Sequence, residues 1–268
     1  VPTAGPVAVV WNSYDWIRLY DVKDTRPKRK PTEKQLGALA EGRERLEKML
    51  TCTECGFRFF KKEDVVEGVC AYCNERTAEL ERIKVIREEA KEVFLSWLDE
   101  DFLILDTKTT GLQGEIVEIA IIDRQRNVLF DSLIKPTVPI PEEVIAIHGI
   151  TNEAVKNAPN WFDVWDTVRM VLQGKKILIY NADFDEQMIF HSCAAHGIPF
   201  TPLGSECVMK TYADYVGSDR WLKLSDASGE CTQHRALDDC FSVLSLLQRV
   251  FQEISEGHRI LSGEEASI

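Results

Sequence analysis

Two groups of residues in this chain have types and spacings that can do chemistry. The first is a pair of cysteine knuckles, Cys52-Thr53-Glu54-Cys55 and Cys70-Ala71-Tyr72-Cys73, with residues 56–69 between them. Each C-x-x-C can turn two thiolates toward one ion, and two knuckles close a tetrahedral shell of four thiolates of the kind that holds structural zinc. The intervening runs Phe57–Phe60 and Val65–Val66 suit a zinc ribbon. A module this small has too little core to fold without such a staple. Redox or disulfide use is the competing reading. The remaining cysteines, Cys193, Cys207, Cys231 and Cys240, are scattered and read as small buried hydrophobes.

The second group is acidic. Asp106 ends the apolar run Phe102–Leu105 and precedes a Thr109-Thr110-Gly111 turn. Asn181, Asp183 and Asp185 follow the apolar run Ile177–Tyr180, where a helix starts. His234, Asp238 and Asp239 stand at the entry to the last long helix. Helix capping explains Asp183 or Asn181 adequately but Asp106 less well. Three such sites in one region imply oxygen donors converging on hard divalent cations such as Mg²⁺ or Mn²⁺. Phosphodiester hydrolysis gains most from two such ions about 3.5–4 Å apart, and a nearby histidine can take the proton of the attacking water.

Elements to position these groups are visible in the hydrophobic period. Thr32, with Gln35 as in a capping box, starts a helix to about Leu50, with Leu36, Leu39, Leu46, Met49 and Leu50 on one face. A second helix is expected over Glu75–Leu98, where Ile83, Ile86, Ala90, Val93, Phe94 and Trp97 recur at helical spacing. Strands are expected at Phe102–Asp106, Ile116–Ile122, Val128–Ile134 and Ile177–Tyr180. Helices are expected at Glu142–Ile147, Thr151–Asn157, Trp161–Leu172, Asp183–His196, Glu206–Val216, Leu222–Ser228 and Ala236–Ser255. Three strands followed by alternating helix and strand predict an α/β fold, a mixed sheet flanked by helices. Ahead of it, Val7–Trp11 and Trp16–Tyr20 suggest a hairpin, and the Pro-interrupted basic stretch Lys23–Lys34 reads as a linker. The expected organisation is an N-terminal extension with basic linker and helix (1–50), a zinc ribbon (51–74), a connecting helix (75–98), the α/β domain (99–255) and a tail (256–268).

The acidic segments resemble, in order and context, the three motifs of the DEDDh exonucleases, the family that includes the proofreading subunit of the bacterial replicative polymerase. Asp106-Thr107-Lys108 with Thr110-Gly111 looks like the first motif, D-x-E with T-G following. Asn181, Phe184 and Asp185 match the second, and His234 with Asp239 matches the third. Ile147-His148-Gly149-Ile150-Thr151 is similar to a further family segment. The resemblance covers about 150 residues and implies a ribonuclease H-like fold. It implies a 3′→5′ exonuclease releasing nucleoside 5′-monophosphates. Asp106, Asp185 and Asp239 would hold two Mg²⁺ or Mn²⁺ ions, and His234 would be the general base. Thr107, Thr109, Gly111, Leu112 and Asn181 would contact the terminal nucleotide. Asp183 and Asp238 are adjacent decoys by family spacing, and His148 reads as structural.

One position departs from the family. Its first motif has Glu where this chain has Lys108. The change removes a ligand and puts a cation beside a dication site, so ion binding there should weaken. Three readings follow: a substituted form of an active nuclease, a natural pseudo-nuclease that binds ends, or an ammonium standing in for one ion. The alternative function is accordingly a zinc-ribbon adaptor that docks nucleic acid or a protein without cleaving.

The 268-residue chain has 44% hydrophobic residues, ordinary for a globular protein, and a formal net charge of −12. Residues 1–98 are nearly balanced, so residues 99–268 carry the excess acid. Such a domain is a poor non-specific DNA binder unless its carboxylates hold cations. The expected partner is a nucleic-acid 3′ end, DNA in preference to RNA, with a protein partner through the zinc module as an alternative contact. No apolar run is long enough to span a membrane. Val1–Val10 lacks the basic-then-apolar pattern of a secretory signal, so an intracellular chain is expected.

Overall fold

The structure, a computed structural model, describes residues 29–59, 61–230 and 234–262, with residues 6, 8–11, 16–19, 21 and 23. Val7 and Tyr20 of the expected hairpin, residues 24–28 of the basic linker and Cys231 lie outside the described residues. The chain forms two compact units, Val1–Ala78 and Glu79–Ile268.

In the first unit β1 (Ala8–Trp11) pairs antiparallel with β2 (Trp16–Leu19), joining Trp11 to Trp16. Helix α1 (Glu33–Glu47) has the expected capping box, with the Gln35 N–H donating to Thr32 Oγ and the Thr32 N–H to Gln35 Oε1. Its apolar residues Leu36, Leu39 and Leu46 are exposed, so the face read from the sequence has no core of its own here. Two small hairpins follow, β3 (Leu50–Thr51) with β4 (Arg58–Phe59), and β5 (Val65–Val66) with β6 (Val69–Cys70). Helix α2 (Ala71–Leu98) begins directly after Cys70, earlier than the expected Glu75, so Cys73 sits in its first turn.

The second unit is built on a five-stranded mixed sheet. Strands β7 (Phe102–Thr109), β8 (Ile116–Asp123) and β9 (Val128–Leu133) run antiparallel. Helices α3 (Glu142–His148), α4 (Asn152–Val155) and α5 (Trp161–Leu172) cross over to β10 (Lys176–Ile179), which lies parallel to β7. Helix α6 (Ala182–Ala195) then leads to β11 (Glu206–Cys207), parallel to β10. The order is β11-β10-β7-β8-β9. Helices α7 (Val208–Val216), α8 (Leu224–Ser228) and α9 (Ala236–Ser262) complete the unit. The expected helix over Glu206–Val216 is corrected at its start. Residues 206–207 pair with the sheet edge, and the helix begins at Val208, fixed by the Met209 N–H donating to Tyr180 O. Helix α9 continues past the expected end at Ser255.

β8 is apolar and buried along almost its whole length, as a central strand covered on both faces must be. Because side chains alternate, one face of the sheet carries Phe102, Ile104, Ala120 and Ile122 against α9 and against Phe94 and Trp97 of α2. The other carries Leu103, Leu105, Ile119 and Ile121 against α5 and α6. Each fully buried aromatic or branched side chain contributes about 1.5–3 kcal/mol. The parallel strands β7, β10 and β11 all end on the same side, where open α/β sheets place their ligands. Among the described residues no helix is long and apolar enough to cross a membrane.

Candidate active site

The end of β7 organises the site. The strand runs on to Thr109, beyond the expected end at Asp106, so Lys108 lies within it. Asp106 and Lys108, two residues apart, share the face that packs on α9, and Thr107 between them faces α6. Asp239, in the first turn of α9, comes down onto the same face. The Lys108 Nζ donates to Asp106 Oδ2 at 2.8 Å and to Asp239 Oδ2 at 2.6 Å. All three side chains are largely buried, 13%, 15% and 9% exposed. Asp185 approaches from α6, its Oδ1 accepting from the Thr107 N–H at 3.0 Å and the Thr107 hydroxyl at 2.7 Å. The structure therefore brings Asp106, Lys108, Asp185 and Asp239 to one place.

Burial dominates the electrostatics. It pushes the Asp106 carboxyl up to about 8, against the pull of Lys108, with Asp185 and Asp239 adding repulsion. It pushes Asp185 up to about 6, held in check by the Thr107 hydrogen bonds. Burial alone would favour a neutral Lys108, but Asp106 and Asp239 outweigh it and keep the ammonium charged. One cation shared among three buried carboxylates leaves the site short of positive charge.

A cleft of about 520 Å³ opens beside this cluster, lined among others by Lys108, Thr109, Leu112, Ile147, Phe184 and His234. Thr107 and Gly111 also line it. Leu112 and Ile147 expose most of their surface there, at 82% and 63%. His234, at the threshold of α9, has a left-handed backbone, φ 54°, unusual for a residue with a side chain. Gly111 has φ 150°, which L residues rarely adopt. Asn181 is exposed and serves α6 through its backbone carbonyl, which accepts from the Phe184 and Asp185 N–H groups. A larger hollow of about 780 Å³ between α5 and residues 198–203 gathers no comparable acid cluster. Its Asp166 and Arg169 pair with each other.

The neighbours of these residues have other occupations. Asp183 is exposed and takes an ion pair from Lys210 at 2.5 Å, and Asp238 is exposed. His148 is buried, its Nδ1 accepting from the Ile150 N–H at 3.0 Å and its Nε2 lying 3.2 Å from Thr109 O. The first contact fixes the tautomer, so Nε2 donates and ties α3 to the end of β7. Sequence reasoning missed Glu118 of β8, which binds Arg235 and the Ala236 N–H beside His234. Its signal was a lone acid inside the apolar run Ile116–Ile122.

Two metal fits can be tested on these donors. Cys52, Cys55, Cys70 and Cys73 have their sulfurs within 4.8 Å of one another, and they form the only such donor group among the described residues. Sulfurs about 2.3 Å from a tetrahedral zinc lie about 3.8 Å apart, and Cys55 and Cys70 sulfurs lie 3.9 Å apart. Backbone amides of Cys55 and Cys70 lower the Cys52 thiol to about 6, while burial and the neighbouring sulfurs raise Cys73 to about 12, so the fit rests on the spacing of the sulfurs. The quartet fits zinc. Beside the cleft, Asp239 Oδ1 is a buried acceptor without a partner among the described residues, as a ligand oxygen would be. Asp106, Asp185 and Asp239 offer the oxygen donors a hard cation takes, but they are not gathered as closely as the four sulfurs, because the Lys108 ammonium lies between Asp106 and Asp239. A cation shared by Asp106 and Asp239 would have to displace the Lys108 ammonium from them. Elsewhere Cys193 and Cys240 are buried thiols whose pKa burial raises, and Cys207 is half-buried.

Comparisons with known proteins bear on the family and the fold. The chain is 39% identical over 171 residues to the uncharacterized exonuclease CP81 of Escherichia phage 186, matching 56% of this chain and 88% of that protein. It is 31% identical over 157 residues to exodeoxyribonuclease 10 of Escherichia coli (strain K12), covering 54% of this chain and 66% of the relative. In fold it is similar to a 3′-exonuclease solved for its 3′-end-specific recognition of the histone mRNA stem-loop, with a TM-score of 0.51 and 16% identity over 57% of this chain and 82% of that one. Residues 103–247 match the exonuclease family RNase_T. With the sheet, the cleft and these likenesses together, the chain belongs to the RNase_T exonucleases, hydrolytic nucleases of the DEDDh type with a ribonuclease H-like fold.

Proposed function

We propose that this chain is a divalent-metal-dependent 3′→5′ exonuclease acting on DNA, and that Lys108 holds its activity low. The observation carrying this reading is the meeting of Asp106, Asp185 and Asp239 beside a cleft that His234 lines. The bound ion would be held by the three aspartates and would supply positive charge to the phosphate. The chain's own groups do the rest. Leu112 and Ile147 offer apolar surface to the terminal base, and Thr107, Thr109 and Gly111 line its approach; Asn181 is not among the residues lining the cleft and would reach the nucleotide only from outside it. His234 accepts a proton from the water whose oxygen bonds to phosphorus. The bond from phosphorus to the 3′ oxygen of the preceding nucleotide breaks, that oxygen takes up a proton, and a nucleoside 5′-monophosphate leaves. DNA is favoured by the name of the exodeoxyribonuclease relative.

Charge explains the handicap. With all three carboxylates ionised, as a bound cation would make them, they and the Lys108 ammonium sum to −2, which one dication balances. A glutamate in place of Lys108 would give −4, the complement of two. The second reading, a binding module that does not cleave, is favoured by one specific observation: the ammonium already spans the two carboxylates a second ion would use. The four cysteines would hold a structural zinc in either reading. The test is a panel of single- and double-stranded DNA and RNA, incubated with Mg²⁺ or Mn²⁺ and the Lys108→Glu form. The nuclease reading expects mononucleotides from DNA. Tight binding of ends with no release would establish the adaptor.

A further inference from the structure

Helix α9 starts at Ala236. Its first amide is held by a residue from the sheet. Glu118 of β8 is 3% exposed as a side chain, buried in a strand otherwise apolar from Ile116 to Ile122. Its Oε2 accepts from the Ala236 N–H at 2.8 Å. Both of its oxygens accept from Arg235 Nε, at 2.9 and 3.1 Å, and Oε1 also accepts from Arg235 Nη2. One carboxylate thus grips two successive residues, Arg235 by its fork and Ala236 by its backbone. The residue immediately before them is His234, with φ 54°. Such a conformation costs free energy for a residue with a Cβ, and it persists only where the surroundings over-determine it. Glu118 also pairs in register with Lys108 across β7 and β8, so the grip is anchored on the strand pair that carries Asp106.

We infer that Glu118 and Arg235 are positioning residues for His234: the buried carboxylate locks the turn before α9 and so presents the imidazole to the cleft. A carboxylate is suited to this task. It is the one common side chain that can accept a bidentate guanidinium and a backbone amide together. Burial on a central strand makes the grip rigid, because the sheet cannot follow a drifting loop. Asp239 lies one turn further along the same helix, its N–H donating to Arg235 O at 3.0 Å. The clamp therefore also sets where that carboxylate enters the site. The catalytic consequence rests on the reading of His234 as the base; the positional consequence does not.

Two readouts test the inference separately. The first is crystallographic, on the full chain and its Glu118→Gln and Arg235→Lys forms. Glutamine keeps the shape, and Arg235 is half-exposed, so Arg235→Lys leaves the core intact. We expect His234 to leave the left-handed region and turn from the cleft in Glu118→Gln, with a smaller shift in Arg235→Lys. An unmoved His234 in both would overturn the inference. The second readout is a double-mutant cycle in the full-length Lys108→Glu form. Misplacing a catalytic group costs about 10²-fold in rate, so Glu118→Gln should lower kcat about 100-fold with KM little changed when His234 is present. In a His234→Ala background it should cost less than about 3-fold. Equal losses in both backgrounds would reduce Glu118 to a structural residue. If His234→Ala itself leaves kcat unchanged, the base reading falls, and the crystallographic result alone decides the clamp.

Discussion

Replacing Lys108 by glutamate should raise the affinity of the site for Mn²⁺ about 10³-fold and turn on cleavage. The Nζ of Lys108 touches Asp106 and Asp239 at 2.8 and 2.6 Å, the two carboxylates nearest the expected ions. An ion held by those carboxylates sits about 4 Å from the charge of residue 108. Two unit charges at that distance interact by about 1 kcal/mol even with the full screening of bulk water. Changing residue 108 by two charge units beside a dication multiplies this to about 4 kcal/mol, or about 10³-fold at about 1.4 kcal/mol per decade. The site is drier than bulk water, so the figure is a floor for the electrostatic gain. Lys108→Met separates the two contributions, since it removes the ammonium without adding a ligand, and it should gain about half the free energy. Calorimetric or EPR titration of Mn²⁺, with cleavage of a labelled oligonucleotide alongside, reads both effects. Equal affinities for the parent and Lys108→Glu would refute the electrostatic reasoning, whatever the activities.

Three other outcomes follow from the geometry. The purified chain should contain one zinc, and Cys70→Ser should release it and unfold the small hairpins while the second unit keeps its thermal transition; metal analysis with calorimetry checks this. In the Lys108→Glu form, Asp185→Asn should abolish cleavage, whereas Asp183→Asn, which loses only the exposed pair with Lys210, should change kcat less than about 3-fold, as exposed pairs are worth about 0–1 kcal/mol. Burial works against the Glu206 carboxylate, but hydrogen bonds from Lys176 and Trp97 outweigh it and hold its pKa below the ordinary 4.5. A depressed pKa gives stability that is present above 4.5 and is lost as pH falls through the folded value. The Tm difference between the parent and Glu206→Gln should therefore be full at pH 6 and shrink toward pH 3; a constant difference would reject the assignment.

How legible the site was depends on how local each signal is. Asp106 and Lys108 could be placed on one strand face from spacing alone, because the strand period is two. Asp185 could be told from Asp183 only through the family motif, since both lie in the first turn of α6. The structure supplies a physical reason for the difference: Thr107 reaches one, and Lys210 takes the other. The two-residue strand β11 was hidden by the helical pattern that follows it, because strand pairing with β10 is a long-range fact that local propensity does not carry. The early start of α2 was hidden by the knuckle, because Cys70 and Cys73 were assigned to the zinc ribbon and the helix was expected only after it. Glu118 was missed for the opposite reason. Its oddity, an acid in a buried strand, was in plain view, but its partners stand more than a hundred residues away.

The polarity of cleavage is read directly by following one DNA strand carrying distinct labels at its two ends, with the Lys108→Glu chain and Mn²⁺. The 3′ label should appear first, as a free nucleoside 5′-monophosphate, while the 5′-labelled strand shortens one nucleotide at a time. Early release of the 5′ label, or internal fragments bearing either label, would contradict it.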